Sequence, residues 1–146
     1  HFEAAFVAIP ALVSFIPMLM GTGGNCGSQA ATLVIRGLAL DEIKLKDYFK
    51  VMFKESKVAL ICGVVLSIIN FFVTWFRCGN PMLALVVALT TIIVIFMAKL
   101  IGGLLPILAK KLKLDPAIMA SPVITTLLDC ISIISYFLIA TALLGI

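Results

Sequence analysis

Charge is what this sequence has least of. Only 12% of its 146 residues are charged, 11 Lys or Arg against 7 Asp or Glu, with one His. A soluble domain carries about a quarter charged residues. Here 63% are hydrophobic and the mean hydropathy is +1.26, which excludes a soluble domain and marks an integral membrane one. Acids are almost missing from the apolar runs, where Asp129 is the single carboxylate. An intramembrane aspartyl protease needs two catalytic acids, and lipid headgroup transferases need several, so the chain is read as no enzyme. Cysteines are few: Cys26, Cys62, Cys78 and Cys130 lie far apart, without metal or redox spacing, and three sit in apolar helices as small hydrophobes. His1 is given no role. No signal peptide is visible, and the opening His1-Phe2-Glu3 falls in mid-pattern, like a piece of something longer.

The net charge of +4 raises the question of nucleic acid. Nine of the eleven basic residues fall in 36–57 or 110–113, short stretches joining apolar runs. That placement belongs to cytoplasmic loops and not to a nucleic-acid footprint. The 36–57 and 110–114 loops are therefore expected in the cytoplasm, with the Arg77 turn and the C-terminus outside, in a multi-pass protein of the plasma membrane.

Four spans are expected, at 4–35, 58–76, 82–109 and 116–146, within a single domain over 1–146. The first, broken in pattern by Pro10, Pro17 and the glycines of 21–27, would make about 48 Å of helix against a ~30 Å hydrocarbon core, so it is expected to tilt, kink or begin outside the membrane. A polar, amphipathic connector fills 37–57. Trp75, Phe76 and Arg77 anchor the end of the second span at the interface. Pro81 suits the first position of the third, which is expected to bend near Gly102, Gly103 and Pro106. Asp115-Pro116 is expected to cap and start the last span, leaving Pro122 inside it and freeing a backbone carbonyl. No internal repeat is evident.

Ser121, Thr125, Asp129, Ser132 and Tyr136 follow at steps of 4, 4, 3 and 4, which stacks them on one helical face. A carboxylate at that depth costs about 2.5–3.5 kcal/mol on insertion scales. A polar stripe around it points to a path for a cation. The bland alternative is a structural pair between Asp129 and Lys99, the one base within a span; Lys99 is otherwise expected to snorkel toward the cytoplasm. The cluster Gly21-Thr22-Gly23-Gly24-Asn25-Cys26-Gly27-Ser28-Gln29 has neither the strand nor the soluble helix of a dinucleotide fingerprint. It serves either close helix packing, where small residues let backbones approach, or a pore lining. Asn25, Ser28 and Gln29 favour the lining, because lipid penalises bare amides.

Phe15-Ile16-Pro17, this glycine cluster and Arg36-Gly37-Leu38-Ala39 resemble the second membrane helix of the MgtE magnesium channels, relatives of the animal solute-carrier magnesium transporters. Leu104-Leu105-Pro106, Asp115-Pro116-Ala117, Ser121-Pro122 and Thr125-Thr126-Leu127-Leu128-Asp129 are similar to that family's fourth and fifth helices. The resemblance runs through essentially the whole chain, in order. It implies an all-α polytopic bundle of about four spans in this chain, the first family helix and the cytosolic regulatory domains being absent. It also implies a homodimer with a pore on its two-fold axis, between the 4–35 and 116–146 helices. Asp129, Thr125 and Ser121 would hold Mg²⁺ there; Gly23, Gly24, Asn25, Ser28, Gln29, Pro122, Ser132 and Tyr136 would line the route. The family often has Asn at the Ser121 position and Ala at Thr125, which leaves the Thr125 carbonyl as the matching ligand.

The expected partners are thus the lipid bilayer, divalent cations and a second copy, with no nucleic acid. Two other classes stay open at this stage. One is a non-conducting assembly or sensor subunit built on an Asp129–Lys99 pair; the other is an H⁺- or Na⁺-coupled cation carrier using Asp129.

Overall fold

A lipid core offers no water to backbone N–H and C=O groups, so long apolar runs satisfy them internally as helices. The computed structural model describes residues 10–119 and 122–145. It contains helices α1 (Pro10–Ala39), α2 (Tyr48–Cys78), α3 (Pro81–Lys111) and α4 (Pro122–Leu144), with 3₁₀ turns at Leu45–Asp47 and Pro116–Met119. No strand occurs among the described residues.

Helix α3 is the centre of the bundle: it packs against α1, α2 and α4, while α1 and α2 meet only sparsely. Its apolar window is 56% buried, against 22% for α2 and 28% for α4, so those two turn most of their apolar surface outward. α1 runs parallel to α3. Leu12, Phe15 and Leu19 meet Leu83, Val86 and Val87 at one end, and Val34 and Leu38 meet Ile107 at the other. α4 runs antiparallel to both, with Tyr136 and Ala140 in the first cluster and Ile124 and Leu128 against Ala31 and Ala98. Close approach depends on glycine. A Cβ on Gly102 would overlap the carbonyl oxygen of Gly27 and sit 2.9 Å from its carbonyl carbon, so α1 and α3 touch backbone to backbone.

The α2–α3 turn follows its local chemistry. Gly79 takes φ 64, a left-handed C-cap, and its N–H donates to the Trp75 carbonyl at 2.8 Å. Asn80 Oδ1 accepts from the N–H groups of Met82 and Leu83, and Pro81 occupies the first position of α3, as expected.

Several boundaries depart from expectation. α1 runs unbroken through Pro17 and the glycines, because neighbouring helices hold it where isolated propensity would not. The part of the first span at 4–9 lies outside the described residues. The connector turns helical at Tyr48, so α2 extends about 46 Å and overruns the hydrocarbon core. Asp115 does not start the last long helix: its Oδ1 accepts from the N–H of Ala117 at 2.9 Å and begins only a 3₁₀ turn. α4 is described from Pro122 onward, and residues 120 and 121, on which the expected freed carbonyl before it depends, lie outside the described residues. Among the described residues three helical stretches, Leu45–Cys78, Pro81–Lys111 and Pro122–Leu144, are long and apolar enough to cross a membrane. α1 matches them in length, but its glycines, Asn25, Ser28 and Gln29 dilute its apolar character.

Candidate functional site

Helices α1 and α4 lie side by side and leave an open cavity of about 460 Å³ on the outer face of the bundle. From α4, Thr125 and Asp129 face it; from α1, Gly24 and Asn25 do, together with Pro17, Met20 and Gly21. Gly24 is buried, and a Cβ there would meet Thr125 Cγ2 at 3.3 Å, so its lack of a side chain keeps the α1 wall close to Thr125. Gly21 has nothing within 4 Å of where its Cβ would be and leaves the cavity mouth wide. Pro17 has no N–H, so the carbonyl of Val13 loses its helical donor beside this cavity.

Asp129 is half-buried, about 10 Å along α4 from Pro122. It makes no hydrogen bond or ion pair with the described residues. The hydroxyl of Thr125 donates to the Pro122 carbonyl at 3.2 Å, and that of Thr126 at 2.8 Å. These bonds tie the first turn of α4 together beneath the acid.

Lys99 is not the partner of Asp129. It is 2% exposed and does not snorkel. Its Nζ donates to Gln29 Oε1 at 2.9 Å and lies 3.7 Å from Glu55 Oε2, a carboxylate itself 6% exposed. One residue from each of α1, α2 and α3 thus meets, the Lys99–Glu55 pair buried and the Gln29 amide reaching it from the surface. Among the described residues, the base within the apolar helix interiors is committed to Glu55, and no base pairs with Asp129.

The expected stripe divides. Thr125 and Asp129 reach the cavity, whereas Ser132 and Tyr136 lie inside the bundle, 1% and 0% exposed. The hydroxyl of Ser132 donates to the Leu128 carbonyl at 2.6 Å and packs against Gly23. That of Tyr136 donates to the Leu12 carbonyl at 3.0 Å, tying α4 to α1. Each polar group found a helix carbonyl, so neither needed water. Gly23 is likewise buried, against Val94 and Ser132, and serves packing. Ser28 and Gln29 continue along α1 away from the cavity, and Pro122 is exposed at the start of α4 outside it. Ser121 lies outside the described residues.

Sequence reasoning missed Pro17 and Met20 as walls and placed Gly21 only within the cluster as a whole. The signal was present: Pro17, Gly21 and Asn25 recur every four residues and share one helical face. Among the described residues no three His, Cys, Asp or Glu side chains come together, so one chain alone offers a cation a single carboxylate.

A model of the family described as MgtE, divalent cation transporter, matches residues 16–139. The chain belongs to the MgtE family. It is 38% identical over 143 residues to the magnesium transporter MgtE of Thermus thermophilus, covering 98% of this chain and 32% of that protein. The magnesium transporter MgtE of Bacillus subtilis is 39% identical over 142 residues, covering 97% and 32%. That of Enterococcus faecalis is 32% identical over 141, covering 97% and 31%. This MgtE chain therefore spans about a third of the length of the curated relatives it matches. Membership in a transporter family agrees with the reading of a helical membrane domain that is no enzyme.

Proposed function

We propose that this domain forms one half of a pathway for hydrated Mg²⁺, completed by a second copy across a two-fold axis beside α1 and α4. The observation that carries this is Asp129. A carboxylate with no compensating base among the described residues, in a cavity open to the outside of the bundle, is costly unless a cation or water meets it. A second chain supplies a second Asp129, and two carboxylates balance one divalent ion. Two-fold dimers are the commonest homo-oligomers, so the pairing needs no special assumption.

Mg²⁺ sheds water reluctantly and prefers octahedral oxygen. The paired acids would therefore bind its water shell, and Asn25, Thr125 and the backbone beside Gly21 and Gly24 would accept or donate to the same waters. An octahedral shell between two fixed walls disfavours the larger, looser shell of Ca²⁺, and the acid pair repels anions. The lysine-rich 36–57 and 110–114 segments would face the cytoplasm.

The test is Mg²⁺ flux through the full-length protein in proteoliposomes. Asp129→Asn preserves volume and removes the charge; uptake is expected to fall roughly tenfold or more while the protein stays folded. Unchanged uptake would refute the assignment.

A further inference from the structure

The start of α2 and the last turns of α3 enclose a groove of about 550 Å³ that the cation route does not use. Its floor is apolar, with Leu104 and Leu108 from α3 and Leu45 and Phe49 from the other wall. Its rim is basic, with Lys46 on one side and Lys111 on the other. We propose that this groove binds an anionic lipid, one acyl chain along the floor and the headgroup phosphate between the two lysines.

Three observations favour that occupant. The first is depth. α2 and α3 are antiparallel, with Val51 near Ile107 and Glu55 near Lys99, so the start of one and the end of the other lie at the same level. Both helices have 31 residues, about 46 Å, against a hydrocarbon core of ~30 Å. Their shared end therefore projects to the headgroup boundary.

The second is the mixed surface. Phe49 is 80% exposed and Leu45 44%, directly beside lysines. Exposed aromatic surface next to ammonium groups is unfavourable in water and favourable where acyl chains meet phosphates. Phe53 repeats the pattern one turn on, at 65% exposure, with Lys57 Nζ 4.4 Å from its ring centre.

The third is unspent charge. Asp47, the nearest acid, is already occupied: its Oδ2 accepts from the Lys44 N–H at 3.0 Å and its Oδ1 lies 3.3 Å from Lys50 Nζ. Lys110 donates to the Leu38 carbonyl at 2.9 Å. Lys46 and Lys111 make no ion pair with the described residues, Lys46 acting on Asp47 only through a weaker, longer-range attraction, so both ammonium groups can turn to an incoming anion. A zwitterionic headgroup brings its own cation and gains less from them.

The experiment is native mass spectrometry of the full-length protein released from micelles containing equal amounts of phosphatidylglycerol and phosphatidylcholine. Wild type is expected to retain phosphatidylglycerol preferentially, and Lys46→Gln/Lys111→Gln to lose roughly fivefold or more of that preference. Lys57→Gln, on the same helix but outside the groove, is expected to keep it. Leu108→Trp, which fills the floor, is expected to displace the lipid with both lysines intact. Millimolar inorganic phosphate is expected not to compete. Equal retention of the two lipids, an equal loss in Lys57→Gln, or competition by free phosphate would overturn the proposal. Asp129→Asn is expected to bind lipid as wild type does, so the outcome is independent of the cation pathway.

Discussion

At the scale of single residues, two acids near opposite walls of the bundle have contrasting fates. Glu55 is buried and held by Lys99; Asp129 is half-buried and held by nothing within the described chain. Removing one member of a buried pair strands the other, at a cost of about 3–5 kcal/mol. Lys99→Met is therefore expected to lower the unfolding temperature in detergent sharply, and Lys99→Met/Glu55→Leu to restore most of it. Asp129→Asn is expected to leave that temperature unchanged or raised, since it removes an unpaired charge. The candidacy of Asp129 was legible from the sequence because a lone carboxylate in an apolar run has few structural uses, and its place in the cavity wall agrees with it. The role of Glu55 was hidden. It lies 44 positions from Lys99, in a stretch whose lysines made it read as a solvated connector. Tyr136 and Ser132 misled in the opposite direction, since a hydroxyl in a membrane helix can spend itself on a carbonyl without touching a pore.

At the scale of helices, the glycines of α1 and of its neighbour α3 separate into those that hold α1 in place and those that leave room beside it. Gly27 and Gly102 hold: the Cβ of Gly102→Ala would run into α1 backbone, which cannot rotate away as a side chain can. That substitution is expected to destabilise by about 1–3 kcal/mol, read as a lower melting temperature. Gly21→Ala meets nothing and is expected to keep the melting temperature while reducing Mg²⁺ flux, because the methyl enters the cavity mouth. A Gly21→Ala protein with wild-type flux would count against the cavity as a passage. The composition of this segment announced both roles together. It did not say which glycine had which, because that depends on the rotation of α1 against α3 and α4. The turn at Gly79, Asn80 and Pro81 was legible outright, since each residue's conformational preference acts locally.

At the scale of the whole molecule, the single chain is asymmetric in what it shows the outside. α2 presents Leu60, Ile61, Val64, Val65 and Ile68, as a lipid-facing helix does; α1 presents Pro17, Gly21, Asn25 and Thr32, as none should. With the four native cysteines replaced by Ala, Gly21→Cys is expected to cross-link two copies in native membranes, seen as a doubled mass on non-reducing gels. Ile61→Cys is expected not to. The proposed second copy has no signal in composition or periodicity and entered through the family resemblance alone. The backbone contact of Gly27 with Gly102 has one mechanical consequence. α1 cannot lean inward, because α3 already stands against it, so the two behave as one rigid strut. Any widening of the proposed cation route must then come from α4 swinging, or from α1 and α3 tilting together.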